Sequence, residues 1–493
     1  MTRSKIAFVN QAWDSISPPV SAESIPIWTY ETAKRLAKDC DVVIYARRDK
    51  NQAAVETYEG IEYRRVSVSG SKICSGTAKI ISKLYASFRY LSSRLYYFPY
   101  ALRVALDLQQ QQCNIVHIHN FSQFVPIIKA FNPQIKIVLH MHCEWATQFE
   151  PAVIGPRLAQ TDLAIGCSDY ITNKIKAQFP KAAARCRTVY NGVDISQFAA
   201  AQSTSAQSIA PQELVSQNAL QIALNAQSSP NLLFVGRVSP EKGLHTLVDA
   251  FCKVAPQFPA ARLFIVGAQQ QISSEFIVNL SDDPLVQNLA IYDEVSYLDS
   301  LKAQLPPDIA DRVIFTGQIS HLLLQDYFQR ADVLINPSVS EAFGMSLVEA
   351  MATGTPTICT DVGGMSEIVQ HDETGLVVPP AQPAAMANAI VQLLSNKPLR
   401  EQMGEAGRAR AVDMFSWQAI ATSLQHQYSL LLFPEGSAAT TRNQQSAQLR
   451  SAQLRSAQFQ PVRNASTPSA SSRRFSEAAS QPIAVQTAES SGL

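Results

Sequence analysis

The sequence predicts an α/β protein made of two doubly wound domains, and three observations lead there. At 493 residues the chain exceeds the size at which a single hydrophobic core usually stops growing. Short runs that are apolar on both faces alternate with amphipathic helical stretches, and the alternation occurs twice; parallel strands covered by helices on both sides read this way. Charge divides the chain as well. Residues 1–190 carry 24 basic against 14 acidic side chains, whereas residues 191–435 carry 11 against 24, beneath a net charge of only +1. A basic front half and an acidic rear half imply two differently built domains, with the front half either meeting something anionic or simply solvating its charges.

In the front half, Lys5–Asn10 (KIAFVN) reads as the first strand, followed by a Pro-Pro loop and the amphipathic stretch IWTYETAKRLAK. Further strands are expected at Asp41–Ala46, Tyr63–Val68, Asn114–His119, Lys136–His142, Asp162–Ser168 and Cys186–Asn191. These define a first domain over residues 1–195. Residues 199–229, rich in Ala, Gln and Ser and poor in charge, read as a low-complexity insertion near the boundary.

A second strand–helix alternation runs through Asn231–Arg237, Ala261–Gly267, Arg312–Gly317, Asp332–Ser338, Thr355–Asp361 and Gly375–Pro380, giving a second domain over 230–415. Its stretch from Gln269 to Leu305 is long for a crossover and reads as another insertion. A helical pattern after Pro383 carries Met386, Ile390 and Leu394, and residues 416–434 form a last packing helix. Beyond it, residues 435–493 contain a twice-repeated SAQLR and otherwise Ser, Ala, Pro and Gln, a composition expected to be disordered.

The eight cysteines stand singly with no Cys-x-x-Cys pair, which suits buried thiols in a reducing cytoplasm rather than a zinc knuckle. No signal peptide and no uncharged apolar run of about 18 residues is read. The expected location is cytoplasmic, with peripheral contact at the inner face of the plasma membrane left open.

The strongest chemical signal is NLLFVGRVSPEKGLHTLVDAF. A strand ends at Gly236, a short loop carries Arg237 and Lys242, and a helix begins after Gly243. Arginine offers a fork of donors, lysine a mobile point charge, and a helix N-terminus partial positive charge. Together they suit a diphosphate, which Gly236 would let the backbone approach; an ordinary strand–turn–helix fits the same residues taken alone. The second signal is SVSEAFGMSLVEAMATGTPTICTDVGG. Glu341 belongs to a loop after a strand, while Gly344, Met345 and Ser346 open a helix containing Glu349. A carboxylate accepts bonds from vicinal sugar hydroxyls. Glu349 is therefore assigned to a ribose and Glu341 to a sugar ring, with the backbone amides of Phe343, Gly344 and Met345 near the phosphates. Gly363 and Gly364 permit close backbone approach.

VGRVSPEKG, EAFGMSLVEAMATGTP with its Glu-x7-Glu spacing, and NGVDISQF resemble the motifs of retaining glycosyltransferases of family 4 over roughly Lys5 to Phe433. The resemblance implies the GT-B fold, two Rossmann-like domains facing an interdomain cleft. It also implies transfer of a sugar from a nucleoside-diphosphate sugar, UDP- or GDP-linked, to a hydroxyl with retained anomeric configuration. Such transfer would serve polysaccharide, glycolipid or cell-envelope glycan synthesis and need no cofactor. On this resemblance Arg237 and Lys242 neutralise the diphosphate, Glu349 holds the ribose and Glu341 contacts the transferred sugar. The family's first-domain histidine matches His142 in KIVLHMHCEW, although Cys143 follows it where an acidic or amide residue is common.

His117, His119, His140 and His142 alternate along two strands and could in principle hold a metal. The family generally works without one, so no metal is expected, and the first three read as structural or cleft-lining. One departure stands out. The family's first loop commonly contains a glycine pair, but Asn10 through Lys38 contains no glycine.

Lys79–Asp107 mixes basic residues with Tyr85, Phe88, Tyr90, Tyr96, Tyr97 and Phe98. Read as helical, it fits contact with an anionic bilayer, a lipid-linked or polysaccharide acceptor, or core packing. No nucleic-acid partner is expected. Two other functions remain open: an epimerase or hydrolase of nucleotide sugars with the same fold, and a catalytically impaired glycan- or nucleotide-binding scaffold.

Overall fold

The computed structural model describes residues 3–20, 23–84, 89–199, 229–270 and 273–433. The expected insertion (except its two end residues) and the expected tail lie outside the described residues, as do Tyr85 and Phe88. The described chain forms two sheets within one unit, Met1–Pro434.

The first sheet contains β1 (Lys5–Val9), β2 (Asp41–Arg47), β3 (Val55–Tyr58), β4 (Ile61–Val66), β5 (Ile115–His119), β6 (Lys136–Met141), β7 (Leu163–Gly166) and β8 (Cys186–Thr188). Its order is β3-β4-β2-β1-β5-β6-β7-β8. Every pairing is parallel except the β3–β4 hairpin. β3 was missed in the sequence because Val55, Glu56 and Thr57 are exposed and leave no apolar period. Its turn, Glu59–Gly60, has positive φ at both residues, as a two-residue hairpin turn requires.

The second sheet contains β9 (Asn231–Val235), β10 (Arg262–Val266), β11 (Val313–Gly317), β12 (Val333–Asn336), β13 (Thr357–Thr360) and β14 (Gly375–Val378). It is parallel throughout, in the order β11-β10-β9-β12-β13-β14. The central strands are buried along nearly their whole length: β5 and β12 expose no residue. Helices therefore cover both faces, which is why these runs lack a polar alternation.

Strand order reverses between β1 and β5 in one sheet and between β9 and β12 in the other. Ligands of open α/β sheets bind outside the carboxyl ends of strands at such switch points. The loops after β1, β5, β9 and β12 are thus placed to form a site before any side chain is considered, with the loop after β6 next to them.

The last helix, Trp417–Leu432, returns to the first sheet: Trp417, Ile420, Leu424 and Tyr428 pack with Ile6, Phe8 and Trp28. Val193 and Trp417 anchor the crossing through backbone bonds, Val193 N–H to Phe415 O at 2.7 Å and Trp417 N–H to Val193 O at 3.2 Å.

Two sequence expectations need adjustment. The described residues of the Gln269–Leu305 stretch fold into short turns and helices and reach the first domain, where Tyr90 Oη donates to Glu275 at 2.8 Å and Arg89 to Asn279 O at 3.0 Å. The Lys79–Asp107 stretch is not one helix. A helix over Ser71–Leu84 is separated from another at Phe98–Gln111, which carries Pro99 in its first turn behind a left-handed Tyr97. Tyr96 and Tyr97 turn inward onto Phe121, with Trp13 packed edge-on against Tyr97. Arg103 donates to the carbonyls of Ser67 and Ser69. Among the described residues no helix is long and apolar enough to cross a membrane.

Candidate active site

A cavity of about 900 Å³ opens between the carboxyl ends of the two sheets. From the first domain it is lined by His142, Asn191 and the loop after β1, including Asp14 and Glu23. From the second come Gly236, Arg237 and Lys242 after β9, and Glu341, Phe343, Gly344, Met345 and Glu349 after β12. His142 and these second-domain residues, singled out from the sequence, lie on one surface although they are spread over more than 200 positions; Gly363, singled out with Gly364, lines a neighbouring cavity instead.

Local chemistry explains the second-domain wall. After β9, Pro240–Lys242 makes one 3-10 turn and Gly243 enters the helix Leu244–Val254 at φ +66°. A Cβ on Gly243 would sit 2.0 Å from the carbonyl oxygen of Pro337, so only glycine lets this loop lie against the end of β12. Glu241, which the sequence reading passed over, is buried at 5% exposure. It accepts from Ser239 Oγ at 2.6 Å and Arg237 Nη2 at 3.1 Å, and its carbonyl accepts from Val339 N–H at 2.9 Å. The loop is thus braced from inside, and Arg237 keeps its position while its side chain remains 40% exposed.

Lys242 Nζ donates to Glu341 Oε2 at 2.6 Å, so the lysine of the first motif and the first glutamate of the second meet across 99 positions. Glu341 is held from behind by Gly363, whose Cβ would fall 1.5 Å from the Glu341 carbonyl oxygen. This gives Gly363 a reason that a bare Gly-Gly pair could not. Glu349 lies on the helix Met345–Thr353, 6% exposed, and is bonded at 2.9 Å by His321 Nε2. His321 had no signal in the sequence, because nothing in its loop marks it as a partner 28 residues from Glu349. The N-termini of the helices beginning at Leu244 and Met345 both open at this wall, where partial positive charge favours an anion.

On the first-domain side, His142 follows β6 directly. Its backbone N–H donates to Asn120 Oδ1 at 2.7 Å. Its ring lies tilted against His140 with centroids 4.0 Å apart and meets Trp28 edge-on at 5.9 Å. Burial, partly offset by the neighbouring Asn191 amide, lowers its pKa to about 3, so the imidazole is neutral at physiological pH. Cys143 beside it is a neutral thiol, raised by burial to about 12. In the glycine-free loop, burial and the charge of Glu23 raise Asp14 to about 7, against hydrogen bonds from Gln11 that lower it.

His117, His119 and His140 bring one nitrogen each to within 4.8 Å of one another. Both ring nitrogens of His117 are already bonded, to Tyr428 Oη at 2.7 Å and His140 Nδ1 at 3.1 Å. Those of His119 are bonded to Thr29 and His142. A metal would have to break these contacts inside a core where burial holds all three rings well below the ordinary histidine value.

A smaller cavity of about 500 Å³ shares Glu341 and runs between Glu144, Tyr170 and Lys174 of the first domain and Ser281–Asp283 of the second. Glu144 accepts from Lys174 Nζ at 2.5 Å and Tyr170 Oη at 3.0 Å. The two domains touch at its edge: the Glu367 carboxylate accepts from the backbone N–H of Asp169 at 2.6 Å and Tyr170 at 2.5 Å, and Ser168 Oγ donates to Ala342 O at 2.8 Å.

Sucrose-phosphate synthase from Thermosynechococcus elongatus shares this architecture, with a TM-score of 0.63 at 23% identity over 87% of this chain and 99% of that one. Anabaena HepE in complex with UDP matches with a TM-score of 0.60 at 19% identity over 86% and 99%. The fold is GT-B, two α/β domains with a cleft at their strand ends. The family described as Glycosyltransferase Family 4 matches residues 27–197, and Glycosyl transferases group 1 matches residues 216–410. Lipopolysaccharide 1,2-N-acetylglucosaminetransferase of Salmonella typhimurium is 27% identical over 419 residues, 83% of this chain and 94% of that protein. The chain belongs to the group 1 glycosyltransferases and is a sugar-transferring enzyme.

Proposed function

We propose that the enzyme transfers a sugar from a nucleoside-diphosphate sugar, UDP- or GDP-linked, to a hydroxyl of a sugar, polysaccharide or lipid-linked acceptor, retaining the anomeric configuration. The observation that carries the reading is the convergence of Arg237, Lys242, Glu341 and Glu349 on one cavity at the switch point between β9 and β12. The complex of HepE with UDP supports a uridine donor, and the lipopolysaccharide transferase supports a glycan acceptor.

In this reading the diphosphate lies against Arg237, Lys242 and the amides of Phe343, Gly344 and Met345, where Gly236 leaves room. Glu349 binds the ribose through the oxygen that His321 leaves free. Glu341 binds the transferred sugar, and His142 faces that sugar from the opposite wall. As the anomeric C–O bond breaks, its electron pair leaves with the diphosphate. Cations and helix amides there stabilise the transition state more than the ground state. The acceptor oxygen bonds to the anomeric carbon on the same face, and its proton passes to the departing phosphate. The smaller cavity beside Glu341 gives the acceptor an approach, and the cleft excludes water that would otherwise hydrolyse the donor. The residues supply this chemistry without a cofactor or metal. Contact with a membrane is part of the proposal: Ile73 and Ile80, seven residues apart, lie exposed on one face of the helix Ser71–Leu84.

The test is a panel of UDP-, GDP- and ADP-sugars, screened by thermal shift and then by nucleotide release with mixed glycan acceptors. One donor is expected to raise the melting temperature and to turn over only when acceptor is present. Turnover without acceptor, seen as free or rearranged sugar by NMR, would establish the epimerase or hydrolase reading. Binding without any turnover would favour a scaffold.

A further inference from the structure

The loop and helix after β1 reach His142 through two buried residues the chemistry above does not use. Thr29, on the helix Ser24–Leu36, places Oγ1 3.1 Å from His119 Nε2, and His119 Nδ1 lies 3.0 Å from His142 Nε2. Thr29 and His119 are both fully buried. Burial and the neighbouring rings hold His119 well below its ordinary value, so it is a neutral imidazole with one N–H and one lone pair.

The hydroxyl of Thr29 has a single proton. Two oxygens that can only accept, Asn10 Oδ1 and Ile25 O, each lie 2.9 Å from it. The Asn10 oxygen is identified by its partner nitrogen, which donates to Tyr45 O at 3.3 Å. Asn10 is fully buried, and among the described residues Thr29 is the donor that reaches this oxygen. The Thr29 proton therefore points away from His119, and the hydroxyl accepts from His119 Nε2–H. That leaves His119 Nδ1 bare, so the proton between the two rings belongs to His142 Nε2.

From this the geometry points to Thr29 and His119 as positioning residues that lock His142 in the Nε2–H form, leaving its Nδ1 a bare acceptor for a donating hydroxyl in the cleft. A histidine fixed this way recognises a sugar hydroxyl and offers no proton to a phosphate oxygen, so it favours a donor sugar carrying a hydroxyl at that point. The opposite arrangement would have Thr29 donate to His119, His119 to His142, and His142 Nδ1–H to the Asn191 amide. It would give the Asn191 oxygen, otherwise without a partner, a donor, but would strip the Asn10 oxygen of its own. Asn191 lines the cavity at 7% exposure, where a ligand hydroxyl can serve it, whereas Asn10 at 0% is sealed in a dry core, so the loss there is the costlier one.

The consequence for the sugar rests on His142 facing the donor, as proposed above; the tautomer itself does not. The test is two-bond proton–nitrogen NMR of the full chain labelled with 15N-histidine, without ligand, with the His142 signals assigned by their loss in His142→Gln. The expected spectrum shows His142 protonated at Nε2. In Thr29→Val the lost acceptor should let His119 shift its proton to Nδ1 and drive His142 to the Nδ1–H form, and Thr29→Ser should restore the wild-type pattern. Turnover should follow, with kcat/KM down about tenfold in Thr29→Val, the worth of one hydrogen bond, and recovered in Thr29→Ser. A wild-type His142 protonated at Nδ1 overturns the proposal even if Thr29→Val does not fold, as does a Thr29→Val spectrum matching wild type. An expected spectrum with no transferase activity would instead count against the donor site while leaving the relay standing.

Discussion

His321 Nε2 lies 2.9 Å from Glu349 Oε1, and this contact ties the loop after β11 to the helix that follows β12. Burial disfavours the charged form of His321, but the hydrogen bond and charge of Glu349, with Asp194 beyond, outweigh it and raise the pKa. A histidine whose folded value is raised stabilises the fold fully below its unfolded value and loses that contribution as pH rises through the folded value. His321→Gln is therefore expected to cost about 1–3 kcal/mol near pH 5.5, the range for bonds to a charged group, and much less near pH 9. Urea unfolding at the two pH values checks this; equal losses at both would show that the pair does not depend on the histidine charge.

Lys242 and Glu341 form the corresponding pair between the loops after β9 and β12. Lys242→Ala and Glu349→Ala are each expected to weaken nucleotide-sugar handling by about tenfold or more, the loss of one charge-assisted contact. Calorimetry with the donor found by the panel, together with kcat/KM, measures it. Wild-type kinetics in both variants would remove the donor-site assignment.

Asp14 is 2% exposed, and its pKa stands at about 7 against an ordinary 3.8. Between those values the folded protein holds a proton that the unfolded chain has released, so stability falls as pH rises through this window and levels off above it. Asp14→Asn removes the penalty. It is expected to match wild type near pH 4 and to be more stable at pH 8 by roughly 1–4 kcal/mol, from about 1.4 kcal/mol per pKa unit. No gain at pH 8 would mean that the carboxylate is not strained by burial.

Gly363 has φ +59° and its Cβ position is filled by the Glu341 carbonyl. Gly363→Ala is expected to cost about 1–3 kcal/mol in backbone strain and to lower kcat/KM by displacing Glu341, with little effect on the distant His321–Glu349 pair. Measured stability and kinetics both like wild type would contradict the close packing of these two loops.

Much of this protein was readable before any coordinates. Each strand named from the sequence is present within a few residues, since a strand buried on both faces must be a continuous apolar run such as NLLFV or KIVLH. The Arg237–Lys242 loop and the Glu341–Glu349 segment stood out because cations, acids and glycines gather there at strand-to-helix turns, and the structure brings both to one cavity. What escaped were side chains whose significance lies in a distant partner. Glu241 looks like a surface acid until its two donors are seen, and His321 like any loop histidine. Asp14 looks like an ordinary aspartate until the loop closes over it. The aromatic stretch before Gln111 was read as helical because its composition does not disclose the break at the left-handed Tyr97 or the turn of Tyr96 and Tyr97 onto Phe121.

By itself the sequence determined the two α/β domains, their parallel sheets and the residue types able to hold a phosphorylated sugar, because periodicity and local loop chemistry are properties of neighbours along the chain. Only the tertiary structure decided that Lys242 meets Glu341, that Trp417 returns to the first sheet, and which way the histidines share their protons. Those are relations between strand ends far apart in sequence, set by strand order and by the need of each buried polar atom for a partner.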